Sequence, residues 1–158
     1  MSCGNVIFEY FQKRIKQNVN NDVFVGPQTD CLIDIIFVLD SSGSIGSQDF
    51  EQMTAFVSKV VGGLFIGNYS ARIGLVTFST AVGESFNLND YSTVGSIKSA
   101  ISSLTYTGGG TQTHLALEHV RATMLTSAAG DRSNVPNSVV VFTDGRSNDA
   151  TATKVSTP

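Results

Sequence analysis

Two segments of this sequence are apolar at nearly every position, and each runs out into an aspartate. Ile33-Asp-Ile-Ile-Phe-Val-Leu39 leads to Asp40, and Val139-Val-Val-Phe142 leads through Thr143 to Asp144. A strand with one wet face alternates apolar and polar residues, so runs like these belong to strands covered on both faces, as in a parallel sheet. Parallel neighbours need long crossovers, and the intervening sequence supplies them.

After the turn Asp40-Ser-Ser-Gly-Ser44, Ser47 is placed to cap a helix with Asp49 and Glu51 in its first turn. Phe50, Met53, Val57, Val60, Val61 and Leu64 form that helix's apolar stripe, which weakens at Gly62-Gly63. A second strand spans Arg72 to Ser79. A third, Val82 to Phe86, follows so closely that it must be antiparallel to the second, and its Glu84 and Ser85 suit an edge. Val94, Ile97, Ile101 and Leu104 mark a short helix, Gly108-Gly-Gly-Thr111 a flexible loop, and Leu117, Val120 and Met124 the inward side of a helix from about Thr113. The fourth strand runs from Asn137 to Thr143. This alternation predicts an open α/β sheet with helices on both faces, whose ligands gather at the carboxyl ends of the strands. Asp40 and Asp144 both belong to that edge.

The 158 residues are enough for a single domain with a real core. Only 15% are charged, against about 25% in ordinary domains, and 34 serines and threonines take up the difference. The net charge of −3, with basic residues scattered, provides no footprint for nucleic acid or for a membrane surface. No apolar run approaches the roughly 20 residues of a membrane span, and the N-terminus does not read as a secretory signal, since Val6, Ile7 and Phe8 are followed at once by Glu9 and the basic Lys13, Arg14 and Lys16 come after them. Residues 1–30 read as a flank: Phe8, Phe11, Ile15 and Val19 repeat at near-helical spacing, and Asn18 to Asp22 with Gly26-Pro27 resemble a linker.

Asp40, Ser42 and Ser44 on one loop, Thr111 on a second and Asp144 on a third make a set of oxygen donors without thiolate or imidazole. Hard oxygens select magnesium, calcium or manganese. Two carboxylates and three hydroxyls leave such an ion short of strong donors, and an incoming carboxylate would fill the gap. Individually, each acid reads equally well as a turn former at a strand end.

Jointly, Asp40-Ser-Ser-Gly-Ser44, Gly-Gly-Gly-Thr111-Gln-Thr and Val-Phe-Thr-Asp144-Gly, with Arg72-Ile-Gly-Leu-Val-Thr-Phe-Ser79, resemble the metal-ion-dependent adhesion site of von Willebrand factor type A domains. The resemblance covers residues 31–158 and is nearest to matrilins and non-fibrillar collagens. It implies a Rossmann-like, mostly parallel sheet with one antiparallel edge strand, and Mg2+ (or Mn2+ or Ca2+) held by Asp40, Ser42, Ser44, Thr111 and Asp144. It further implies an extracellular, non-enzymatic adhesion module whose ion receives a Glu or Asp from a protein ligand such as collagen or another matrix protein. Because the family's sheet normally continues with two more parallel strands, the domain is expected to be partial, with the fourth strand as an apolar edge. Secreted relatives often carry a half-cystine near Cys31; here the candidate partner is Cys3, and a free thiol is the equal alternative.

Other chemistries fare worse. Ser42 and Ser44 lack a Gly-x-Ser-x-Gly setting, and His114 and His119 are five apart on a helix, without the zinc-protease spacing, and read as solvated surface. The triple glycine has no following lysine for a phosphate loop. A magnesium-dependent hydrolase would need a base, for which Glu118 and Asp149 are the nearby acids. An intracellular scaffold built on the same domain is the main alternative. Asn68-Tyr69-Ser70 is an acceptor triplet for N-glycosylation between the first helix and second strand.

Overall fold

The computed structural model describes residues 32–145 and 147–149. The apolar repeat of residues 1–30, Cys3 and Cys31 lie outside them. The chain forms β1 (Ile33–Asp40), α1 (Gly46–Val61), β2 (Ala71–Phe78), β3 (Val82–Phe86), α2 (Val94–Ser102), α3 (Thr113–His119) and β4 (Asn137–Phe142). The sheet order is β3-β2-β1-β4. β1 is parallel to both β2 and β4, and β3 is antiparallel to β2, as the short connection requires.

Every residue of β1 is buried, because the strand is sandwiched. Ile33, Ile35, Phe37 and Leu39 face α1 and α2, where they meet Val57, Val60, Val61, Ile97 and Ile101. Ile36 and Val38 face the other way, toward Ala116, Val120 and Met124. The second helix face continues beyond α3 through a widened π turn over Val120–Met124, in which Leu125 N–H reaches the Val120 carbonyl at 2.9 Å. Met124 lies over Gly74 of β2, where an added Cβ would stand 3.2 Å from its methyl carbon.

Three expectations need correction. Ser47 does not cap α1: the helix already begins at Gly46, and Ile45 before it is helical and makes no side-chain cap. The reason is upstream, since Ile45 N–H bonds the Ser42 carbonyl at 3.2 Å and the turn runs straight into the helix. His114 and His119 are half-buried rather than solvated, and His114 Nδ1 is shielded without a hydrogen-bond partner among the described residues. β4 is covered on one face only, which corrects the two-sided cover read from its apolar run and agrees with its expectation as an apolar edge: Val140 and Phe142 pack into the α1 side, while Val139 and Val141 stay exposed. Among the described residues β4 is the edge opposite β3.

The order of connections places a switch point. From β1 the chain moves through α1 to β2 on one side, and later returns through α3 to β4 on the other. Crossovers diverging from one central strand open a crevice at its carboxyl end, between β1 and β4. Asp40 ends β1 at that place.

Candidate metal centre

Asp40 is completely buried. Its Oδ1 accepts from Ser42 N–H at 2.8 Å, and its Oδ2 accepts from Thr143 Oγ1 at 2.7 Å. Both donors are neutral. The ion pairs among the described residues are Arg121–Glu118 and Arg132–Asp34, so no described basic side chain pairs with the Asp40 carboxylate.

The following loop turns two hydroxyls toward each other. Ser42 Oγ and Ser44 Oγ are 3.2 Å apart. Oxygens at right angles around a magnesium-sized ion, at ~2.1 Å from it, would be separated by roughly 3 Å, so this spacing fits adjacent corners of an octahedron. The turn is braced from the α2–α3 connection: Tyr106 donates its hydroxyl to the Ser42 carbonyl at 3.2 Å, and its ring stacks obliquely on Phe50, with centroids 6.0 Å apart.

Gly43 allows the second loop to close on the first. Its N–H donates to the Gly109 carbonyl at 2.9 Å, and an added Cβ would meet that same oxygen at 3.3 Å. Gly109 has φ +95°, a conformation side chains rarely adopt, and its missing Cβ leaves room for Thr80 Oγ1, which accepts from Gly110 N–H at 2.8 Å. Thr107 N–H donates to Ser41 Oγ at 2.9 Å and Gln112 N–H to the Ser79 carbonyl at 2.8 Å. Thr111, almost fully buried, is thereby held at the carboxyl edge of the sheet.

The third loop is tethered at both ends. Thr143 bonds Asp40, and Asn148 bonds Thr111, donating its N–H to the Thr111 carbonyl at 2.8 Å and accepting from Thr111 N–H. Asp144, exposed, stands between these anchors. Asp40, Ser42 and Ser44 are thus directly linked, whereas Thr111 and Asp144 reach the same edge on neighbouring loops without a direct bond to those three. Among the described residues no group of three or more His, Cys, Asp and Glu could hold a metal. The donor set is two carboxylates and three hydroxyls, all hard oxygen, around a buried carboxylate that no described basic side chain pairs with, and it fits a small divalent ion.

Residues 34–158 match the family model described as von Willebrand factor type A domain. The chain belongs to that family. Its curated relatives include mouse matrilin-2, 37% identical over 77% of this chain and 13% of the relative. The mouse collagen alpha-4(VI) chain is 41% identical over 73% of this chain and 5% of its own length. Human matrilin-4 is 38% identical over 74% of this chain and 19% of its own. The chain therefore spans under a quarter of each of these relatives. Among solved structures, proximal thread matrix protein 1 from the mussel byssus superposes with a TM-score of 0.73 at 28% identity, over 80% of this chain and 34% of that one. Another structure of that protein, with a zinc-occupied MIDAS motif, gives a TM-score of 0.72 at 29% identity over the same shares.

Within this von Willebrand factor type A domain, several structural residues escaped the reading by residue type. Thr143 follows an apolar run and reads as the end of a strand, yet it is a direct donor to Asp40. Ser41, Thr80, Tyr106 and Asn148 sew the three loops together, and nothing in local periodicity marks them. Glu118, a base on the hydrolytic reading, is instead bound to Arg121 at 2.7 Å on the surface of α3.

Proposed function

We propose that this domain is an extracellular matrix interaction module, without enzymatic activity, that holds a divalent cation and uses it to bind an acidic side chain of a protein ligand. Residues 31–158 form the module and residues 1–30 its flank. Asp40, Ser42, Ser44, Thr111 and Asp144 would hold the ion, Mg2+ by the chemistry of the donors, with Mn2+ and Ca2+ as related occupants. The ion supplies a Lewis-acidic position that a Glu or Asp from collagen or another matrix protein completes.

The observation that carries this reading is the buried Asp40 carboxylate, with only neutral donors among the described residues, followed by two serine hydroxyls that lie 3.2 Å from each other. An uncompensated buried carboxylate costs several kcal/mol, which a bound cation offsets. The zinc-occupied relative and the matrilin and collagen relatives support a divalent ion and a matrix setting.

The experiment is calorimetric titration of the wild-type chain and Asp40→Ala with magnesium, manganese, calcium and zinc, followed by binding to immobilised collagens and matrix extracts with metal or chelator. Saturable metal binding lost in Asp40→Ala, and matrix binding lost with chelator, are expected. Equal matrix binding with metal, with chelator and in Asp40→Ala would overturn the metal bridge.

A further inference from the structure

The loop between α1 and β2 lies at the end of the sheet away from the cation site, and it carries the sequence's single Asn-x-Ser/Thr triplet, Asn68-Tyr69-Ser70. Asn68 and Tyr69 form the corner of a tight turn, in which Ser70 N–H donates to the Gly67 carbonyl at 3.2 Å. The loop is closed below by Ala71 N–H to the Phe65 carbonyl at 3.0 Å and Gly67 N–H to the Ala71 carbonyl at 3.1 Å. Arg132 fixes its backbone, donating to the carbonyls of Asn68 and Ser70 at 2.9 Å each.

The side chain of Asn68 is exposed and oriented. Its Oδ1 accepts from Arg72 Nη2 at 3.0 Å, which directs the amide nitrogen, the atom that bonds the first sugar, away from that guanidinium. The Ser70 hydroxyl makes no hydrogen bond to the described residues. Two aromatic rings on this short loop face solvent, Tyr69 at 85% exposure and Phe65 at 53%. The face of an exposed aromatic ring is apolar, and the C–H face of a pyranose ring can pack on it.

We infer that Asn68 is an N-glycosylation site, and that Phe65 is the platform on which the first N-acetylglucosamine rests. The bond forms between Asn68 Nδ2 and the sugar's anomeric carbon, displacing the lipid-linked pyrophosphate of the donor oligosaccharide, while the amide proton leaves to a base of the transferase. The glycan would project from the amino-terminal ends of the strands, about 25 Å of strand length from the ion, so it shields that end without obstructing ligand. This inference rests on the extracellular reading, since only a chain entering the secretory pathway meets the transferase.

The test is secretion of the whole chain from mammalian cells behind an added cleavable signal, which forces entry whatever the native compartment. A gel shift of one glycan, removed by peptide N-glycosidase, is expected for wild type and Ser70→Thr and lost in Asn68→Gln and Ser70→Ala. Absence of the shift in secreted wild-type protein would overturn the site, and metal titration of the same samples would report separately on the cation reading. Thermal unfolding of glycosylated and Asn68→Gln proteins, each with and without Phe65→Ala, tests the platform. A glycan-dependent rise in Tm that shrinks by half or more in Phe65→Ala supports it. An undiminished rise refutes it.

Discussion

Arg132→Met is the perturbation whose cost the structure specifies most fully. Arg132 Nε and Nη2 grip Asp34 Oδ1 at 2.9 and 2.6 Å, and its backbone N–H holds Oδ2 at 3.0 Å. The guanidinium also donates to the carbonyls of Ile33, Asn68 and Ser70. The Asp34 side chain is fully buried and that of Arg132 is 14% exposed. Removing one partner strands a buried carboxylate, a loss of about 3–5 kcal/mol, against a total stability of about 5–15 kcal/mol for a domain. The exposed Arg121–Glu118 pair is the internal control, and Arg121→Met should cost below ~0.5 kcal/mol. Urea unfolding of the whole chain reads both, with an unchanged slope required for the comparison. The double variant Asp34→Leu/Arg132→Met should recover most of the loss, because an apolar pair removes the charge along with its partner. Arg132→Lys, which keeps the charge but not the fork, should fall between wild type and Arg132→Met and gives a measurable variant if the latter is too unstable. An Arg132→Met cost within 1 kcal/mol of wild type, or a double variant less stable than the single one, would refute the reasoning.

Asp40→Asn should lose metal binding in calorimetry and raise metal-free stability by up to several kcal/mol, because the amide oxygen keeps the Ser42 N–H bond and the amide nitrogen donates to a reoriented Thr143 hydroxyl while the buried charge is removed. Magnesium at 100 times its Kd should stabilise the wild type by ~2.7 kcal/mol and Asp40→Asn not at all, as read from Tm. Gly109→Ala should destabilise by about 1–3 kcal/mol and weaken metal binding through the Thr111 loop, since its φ is +95° and the new Cβ would stand 2.6 Å from Thr80 Oγ1. Thr80→Ala in the same chain relieves the clash but not the backbone strain, so only partial recovery is expected in denaturant unfolding. Phe37→Ala, which removes a fully buried ring packed 6.4 Å from Phe142, should cost about 3–5 kcal/mol in the same measurement.

The sheet was legible because its strands were written in a period the core enforces. β1 is apolar on both faces because α1 and α2 cover one face and α3 the other, and the pattern registers both covers. The antiparallel β3 followed from chain length alone. What stayed hidden depends on long-range pairing. Asp34 reads as an interruption of an apolar run, and only the fold brings Arg132, 98 residues away, to neutralise it. The ligand-type residues Asp40, Ser42, Ser44, Thr111 and Asp144 were visible as oxygen donors at loop positions, but the hydroxyls that tie their loops together were not. Ser41, Thr80 and Thr143 act through one or two hydrogen bonds across loops, which leave no periodic trace. The Ser47 cap failed for a related reason, since a turn closed by Ile45 and Ser42 had already started the helix.

β1 holds two buried aspartates, Asp34 near its start and Asp40 at its end, on the same face because their positions differ by an even number. The chain handles them oppositely. Asp34 receives a guanidinium in a geometry that cancels its charge permanently, and that end of the sheet is locked by the remaining donors of the same side chain. Among the described residues Asp40 receives one backbone N–H and one hydroxyl, which orient the carboxylate without bringing an opposite charge to it. A lysine or arginine there would have completed the core and closed the crevice to any other cation. With only neutral donors among the described residues, the electrostatic completion of this end falls, on the proposed function, to an exchangeable ion. On the proposed function, the order of the three loops around Asp40 then depends on that ion, while the Asp34 end keeps the sheet folded without it.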